Sequence, residues 1–320
     1  MRFAPVGVMA LDEPAARPLP SPSPSSSPAA GRGRLIGFAC GAGAALIWGI
    51  QAVVSRQSVA DGLGPVDVTV LRFVTAAVAL LPFALMRLKP FPVGRLGWRK
   101  ALILTFFAGA PFSTVLVGGS TFAPALHTAV IAPSLIPVVT ALLAYAVMGE
   151  KSPLGRIVGL ALIVTGIGLF AGQGLFQGGQ EGAWRGDLLF VLASTMWAIF
   201  GLLAKRWGAD AFDLTISLSI LSLAVLPLLA FVVPLKLAGA SLSAIALQAG
   251  YQGLLVGVAS VFLYASANQT LGAARASLFL PLVPAITAVA SAILLGEWPS
   301  ALELVGMVIV MAGMTIAMRA

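Results

Sequence analysis

Charge is the property that this sequence most lacks. Only 9% of its 320 residues are Asp, Glu, Lys or Arg, whereas soluble domains carry about 25%. So few charges cannot cover a surface that faces water, which excludes a soluble globular protein. Hydrophobic residues make up 59% of the chain. The composition therefore predicts a membrane protein that crosses the bilayer many times.

Side chains that carry chemistry are scarce too. The single cysteine, Cys40, excludes an intramolecular disulfide framework, and His127 is the only histidine. No Asp or Glu lies in the middle of an apolar run, so the acid–base or metal-ligand cluster that a membrane enzyme needs is missing. We therefore predict no enzyme activity, no catalytic residue, no cofactor and no metal. The same absence argues against a proton-coupled exporter of lipophilic cations.

Long apolar runs make up most of the chain. From Leu35 onward ten runs approach the roughly 20 residues that cross a bilayer, and they lack the two-residue alternation of barrel strands. We predict ten transmembrane helices, at 35–55, 66–86, 101–119, 125–147, 154–171, 186–206, 213–233, 245–268, 274–294 and 301–318. The preceding segment, 1–31, is rich in proline and serine and is predicted to be a disordered tail.

The basic residues orient these spans. If the N-terminus is cytoplasmic, the segments on that side hold fifteen Lys and Arg residues, and the opposite loops hold only Arg56, Arg185 and Lys236. This bias is the positive-inside pattern, and ten spans return the C-terminus to the same side. We predict a multi-pass protein of the cytoplasmic membrane with both termini in the cytoplasm. Because the net charge of +8 is scattered between spans, no nucleic-acid partner is expected.

The chain also repeats itself. The stretch "PSLIPVVTALLAYAVMGE" at 133–150 matches "LPLVPAITAVASAILLGE" at 280–297, and an offset of 149 residues aligns Trp48 with Trp197. Each half holds five spans, and because five is odd, the second half enters the membrane from the opposite side. Inverted repeats of this kind are typical of secondary transporters.

The matched prolines and glutamates of these stretches are candidate gating or structural residues. Pro137 and Pro284 remove a helix donor and favour a kink, which serves either gating or helix packing. Glu150 and Glu297 each follow a glycine at the end of a span, where the pattern stops a helix. We interpret both glutamates as structural or gating residues at opposite membrane surfaces, with no catalytic role.

Together the two five-span halves, the paired tryptophans and the proline-to-Gly-Glu stretches resemble the EamA family of the drug/metabolite transporter superfamily. The resemblance implies a first repeat at 32–174, a second at 183–320, and a central cavity lined by spans 1, 3, 4, 6, 8 and 9. It implies that spans 5 and 10 form either a scaffold or a homodimer contact. It also implies alternating access and export of small metabolites.

Polar and aromatic side chains within the spans are the candidate substrate contacts. Trp48, next to Gln51, and Trp197 lie in mid-span, away from the interfaces that tryptophan prefers, where they either stack amphipathic or cationic substrates or pack between helices. Thr114, beside Ser113, and Tyr264 and Asn268 add hydrogen-bonding groups, for which packing is the stronger interpretation.

Two ionisable side chains complete the candidates. Arg72, about six residues into the second span, either grips an anionic or carboxylate-bearing substrate or reaches outward to the membrane surface. His127, at the start of the fourth span, either binds a proton or the substrate or is an ordinary satisfied polar group.

The function predicted from these features is export of amino acids, their derivatives or xenobiotics across the cytoplasmic membrane. The expected partners are a small-molecule substrate and membrane lipids. A flippase for lipids or lipid carriers with the same fold is the alternative, and a lateral groove lined by arginines would support it.

Overall fold

The computed structural model describes residues 28–149, 152–176 and 182–319, and these are helical nearly throughout, with no strand among them. Within these described ranges, nine helical stretches are long and apolar enough to cross a membrane, and a shorter apolar helix covers Leu154–Phe170. Because the shorter helix occupies the fifth predicted span, the described residues account for all ten spans. The all-α, polytopic fold class is confirmed.

In the part of the chain that the structure describes, the ten spans contain thirteen α-helices, because three of the spans are each divided into two α-helices. These helices are α1 Pro28–Ala60, α2 Pro65–Arg87, α3 Trp98–Ala108, α4 Ala110–Gly119, α5 Ala125–Met148, α6 Leu154–Phe176, α7 Ala183–Arg206, α8 Ala211–Val232, α9 Leu242–Gln248, α10 Ser260–Leu271, α11 Ala273–Ala276, α12 Leu282–Leu294 and α13 Ala301–Arg319. A π-helix, Ala249–Ala259, joins α9 to α10 into one continuous span. Helix α1 begins inside the predicted 1–31 tail, whose residues 1–27 lie outside the described chain.

The third span is predicted as one helix but consists of α3 and α4. The break is at Gly109, which has φ −91° and ψ −141°. A Cβ at Gly109 would lie 2.5 Å from the Ser222 hydroxyl oxygen, so the close approach of α8 requires glycine here. That hydroxyl accepts a hydrogen bond from the N–H of Ala110 at 3.0 Å and thereby satisfies a donor at the start of α4.

The matched prolines take different positions in the two repeats. Helix α5 continues through Pro133 and Pro137. In the second repeat a 3-10 turn, Ser277–Phe279, precedes Pro281, and α12 begins only after it. Pro284 therefore falls in the first turn of α12, where a missing N–H breaks no helical bond. The repeat in sequence predicts equivalent prolines, but only the second repeat breaks its helix there.

The contact between α6 and α13 confirms that the halves are inverted. A Cβ at Gly313 would lie 2.7 Å from the Gly159 oxygen, and one at Gly166 would lie 2.8 Å from the Gly306 oxygen. The 147-residue offset aligns Gly159 with Gly306 and Gly166 with Gly313, so each contact is the repeat counterpart of the other. Small residues allow such close helix packing within a membrane, here in pseudo-two-fold symmetry.

Antiparallel packing gives the bundle two ends. The His127 end holds the end of α1, with Arg56, and the starts of α5, α7 and α13. The Arg87 end holds the end of α2 and the start of α8, with Asp213.

Candidate functional site

His127 is the centre of a buried charged cluster. Its Nδ1 lies 2.7 Å from Oδ1 of Asp187, and its Nε2 lies 3.5 Å from Oε1 of Glu303. The ring also packs edge-on against Phe170 at 4.7 Å between centroids. An ionised carboxylate can accept but not donate hydrogen bonds, so satisfying both requires a donor on each ring nitrogen, as in the imidazolium form.

A second ionic network, formed by Arg56 and Glu297, lies at the same end of the bundle as His127. Nε of Arg56 donates to Oε1 of Glu297 at 2.9 Å, and Nη1 of Arg56 donates to the Ser120 carbonyl. The other carboxylate oxygen of Glu297 accepts the N–H of Ala125, the first residue of α5. A carboxylate at a helix N-terminus also interacts favourably with the helix dipole.

Both networks connect the two repeats. Arg56, Ala125 and His127 belong to the first repeat, whereas the carboxylates that bind them come from the second. The His127 side chain is 6% exposed, and those of Arg56 and Glu297 are 18% and 25% exposed. At the His127 end, shielded ionic contacts therefore hold the halves together.

The Arg87 end is held differently. Nε of Arg87 donates to Oδ1 of Asp213 at 2.8 Å, but these side chains are 50% and 37% exposed. Beside this pair lies a cavity of about 730 Å³ whose charged lining residues are Arg87, Lys89, Arg95, Lys100, Asp210 and Asp213. Near this cavity the described halves also meet through apolar side chains, such as Leu88 of the first repeat and Ile216 of the second, but their ionic contact there is exposed.

The two predicted tryptophans have aromatic neighbours in corresponding places. Trp48 packs on Tyr264 with centroids 5.1 Å apart, and its Nε1–H donates to Ser260 at 3.1 Å. Trp197 packs on Phe112 at 4.9 Å. Each tryptophan thus packs on an aromatic ring of the other repeat, although among the described residues only Trp48 has a polar partner. No contact in the described chain joins Trp48 to Trp197.

Arg72 lies apart from both networks. Its Nε and Nη1 are buried and have no hydrogen-bond partner, and its guanidinium carbon stands 5.6 Å from the Phe73 ring centroid. Gly253 of the π-helix packs against this turn of α2, because a Cβ there would lie 3.2 Å from the Arg72 carbonyl oxygen.

The remaining predicted residues have local surroundings. Thr114 donates to the Ala110 carbonyl of its own helix and lies 3.2 Å from the hydroxyl of Thr69. Asn268 donates to the Tyr264 carbonyl, also within one helix. Gln51 is half-buried in α1.

Of the four gating candidates, the structure gives a network only to Glu297. Pro137 lies within α5 and Pro284 within the first turn of α12. Glu150 lies outside the described residues. Sequence reasoning missed Asp187 and Glu303 as partners of His127. The sequence did contain a signal for this pairing. Asp187 and Glu303 each lie within one helical turn of the start of a predicted span, on the same side of the membrane as the side predicted for His127.

Two fully buried glutamines were also missed. Gln248 donates to the Val54 carbonyl, and Gln252 donates to the Ser55 hydroxyl. The Oε1 atom of each has no partner. Both side chains tie the π-helix span to α1 at the depth of Arg72.

No metal site is formed in the part of the chain that the structure describes, where no group of three or more His, Cys, Asp or Glu could hold an ion. In the His127 cluster, both ring nitrogens that would be ligands are already directed at carboxylates.

Comparison with known proteins agrees with this architecture. Among solved structures, a crystal structure of a protein aligns with a TM-score of 0.58 and 18% identity over 90% of this chain and 97% of its own, which shows the fold alone. A search of curated proteins gave no match. The model of the EamA-like transporter family matches residues 35–172 and again 184–319. With one match in each five-span repeat, the chain belongs to the EamA-like transporter family, within the drug/metabolite transporter superfamily.

Proposed function

We propose that this protein is a secondary transporter that exports small metabolites, such as amino acids, their derivatives or xenobiotics, by alternating access. Its two inverted halves rock against each other and open one end of the bundle at a time. The observation that carries this function is the difference between the ends. The ionic contacts between the halves are shielded at the His127 end, whereas at the Arg87 end the ion pair is exposed and lies beside a cavity.

The basic residues support an orientation in the membrane. Arg87, Lys89, Arg95 and Lys100 cluster around the cavity, and such clusters favour the cytoplasmic side. The conformation described is then closed to the outside and faces the cytoplasm, where an exporter loads its substrate. Both termini lie in the cytoplasm in this arrangement.

The flippase alternative has a weaker basis. A lateral groove of about 600 Å³ runs between α1 and α12, but its lining is entirely apolar: Leu46, Ile50, Ala285, Ile286, Val289, Ala290, Ile293 and Leu294. An arginine-lined groove for a lipid headgroup is expected of a flippase, and this groove has no such lining. Exchange of labelled lipid between the leaflets is therefore measured in the same test, and it would support the flippase.

The test is solute flux with the halves reversibly locked. Full-length protein with Cys40→Ala, Arg56→Cys and Glu297→Cys is reconstituted in liposomes and bridged with a short bifunctional reagent that joins each thiol through a disulfide bond. Labelled amino acids, organic cations and neutral metabolites are then screened, with labelled lipid in parallel. Because alternating access requires Arg56 and Glu297 to separate, we expect bridging to stop saturable flux and a reducing agent to restore it.

A matched control places the bridge within the first repeat. Gln57, in the last turn of α1, donates to Asp61, the residue that follows α1, at 3.0 Å at the same end, so bridging Gln57→Cys to Asp61→Cys leaves the halves free, and flux should persist. Undiminished flux through the Arg56–Glu297 bridge would refute alternating access at this end. Lipid exchange without solute flux would favour the flippase.

A further inference from the structure

Arg72 has a side chain that the fold leaves unsatisfied. Of the guanidinium nitrogens, Nε and Nη1 are buried without a partner, and the nearest described interaction is the Phe73 ring. Arg72 as a whole is only partly buried, but among the described residues the other interior cations at the His127 end are paired: Arg56 with Glu297, and His127 with two carboxylates.

Such an arrangement is costly. An unpaired charge in a membrane interior loses hydration without compensation, and natural chains keep costly groups mainly at functional sites. Arginine cannot escape this cost by losing its proton in proteins. A partner supplied from outside the chain would remove it.

The position of Arg72 suits a ligand carried between the halves. On α2, Thr69 lies one turn before it and contacts Ser113 and Thr114 of α4. On its other side, Thr75 packs against Gly253 of the π-helix. Since position 72 lies between positions 69 and 75 around the helix, Arg72 faces the region between α4 of the first repeat and the π-helix of the second.

Charge and shape specify the partner. One guanidinium neutralises one negative charge, which matches a carboxylate, whereas a phosphate monoester carries about 1.5 to 2. A planar guanidinium also binds a carboxylate through two parallel hydrogen bonds. The lining of the cavity at the Arg87 end adds four cations against two carboxylates, a balance that attracts anions on entry.

We propose that Arg72 is the anchor of a carboxylate-binding site, so that the transported substrate is a small organic acid or amino acid held by its carboxylate between the halves. This proposal specifies the substrate class of the proposed transporter. Only its flux experiment rests on the proposed function. Binding is measured separately from flux.

The binding test uses thermal stabilisation of the purified full-length protein, because a ligand that binds the folded state raises its melting temperature. The probes are L-phenylalanine, L-alanine and 3-phenylpropionate, each beside its primary amide, together with phenyl phosphate. We expect carboxylates to stabilise the wild type and the amides to fail. Arg72→Gln should weaken carboxylate binding by about 10- to 100-fold, the scale of a hydrogen bond to a charged group.

Two variants separate recognition from support of the fold. Without ligand, Arg72→Gln should raise the melting temperature by about 2–4 °C, because it removes an uncompensated charge. If Arg72 instead stabilised the fold, the substitution would lower the melting temperature. Arg72→Lys should restore part of the binding, since it keeps the charge but not the two-bond geometry. The matched control is Arg185→Gln, an exposed arginine, which should change neither quantity.

Three outcomes would overturn the carboxylate site: no carboxylate stabilises the protein, amides bind as well as acids, or Arg72→Gln binds carboxylates as wild type does. Stabilisation by phenyl phosphate alone would also overturn it. Flux of neutral or cationic solutes untouched by Arg72→Gln would refute the site while the transporter stands. Arg72-dependent binding without any flux would support the site and refute transport.

Discussion

Arg56 and Lys205 occupy matching positions, 149 residues apart, in two halves built on the same pattern, yet their surroundings differ. Arg56 is bonded to Glu297 and to the Ser120 carbonyl at the His127 end. Lys205, at the Arg87 end, is exposed and forms no ion pair with any part of the chain that the structure describes. Halves related by a pseudo-two-fold axis would give equivalent ends if the bundle were symmetric. The asymmetry is what one state of an alternating-access cycle requires.

The largest effect is expected from His127, because its loss strands two carboxylates. We predict that His127→Gln lowers the free energy of unfolding by about 4 kcal/mol, the scale for breaking a buried ion pair. Thermal unfolding in detergent measures it. In the double variant with Glu303→Gln, one stranded charge disappears, so part of the loss should return. Strictly additive losses would mean that the two side chains do not interact.

Breaking Glu297 should open the His127 end selectively. Glu297→Ala removes the Arg56 pair and the acceptor for the Ala125 N–H, and because these side chains are partly exposed we expect about 2 kcal/mol. That corresponds to roughly 30-fold greater opening. Maleimide labelling of Ala52→Cys, in a Cys40→Ala background, measures it, because Ala52 is buried.

The control for this opening is Asp213→Asn at the Arg87 end. This substitution also removes an arginine–carboxylate pair, but an exposed one at the other end. Labelling of Ala52→Cys should therefore stay at the wild-type rate or fall. If both variants accelerate labelling equally, the two ends are not separately gated.

A glycine substitution should weaken the bundle without favouring either end. A Cβ at Gly166 would meet the Gly306 oxygen and the Val310 backbone, whereas one at Gly168 would meet nothing within 4 Å. We predict that Gly166→Ala costs about 1–3 kcal/mol through overpacking and that Gly168→Ala has almost no effect, by thermal unfolding. Equal effects of the two substitutions would show that the α6–α13 contact relaxes freely.

The sequence predicted what depends on hydropathy and repetition. The apolar runs located the spans, and the offset that aligns Gly159 with Gly306 anticipated the inverted packing. The hydropathy pattern could not predict the break at Gly109, because the break depends on Ser222, which lies more than one hundred residues away in the chain. The sequence likewise identified His127, Arg72 and Glu297 as unusual residues but not their partners. The pairings depend on which helix starts meet at one end, a tertiary property that periodicity does not encode.

The smallest effect is expected at Arg87, and it distinguishes the ends most directly. Arg87→Gln removes an exposed ion pair, so the loss should stay below about 1 kcal/mol and disappear in high salt. Arg56→Gln removes a shielded pair and strands Glu297 at the start of α5, so its cost should be larger and should persist in salt. Thermal unfolding of the two variants at low and high ionic strength measures the difference. If Arg87→Gln costs as much as Arg56→Gln, and with the same salt dependence, both ends are held equally and the proposed inward-facing state loses its physical basis.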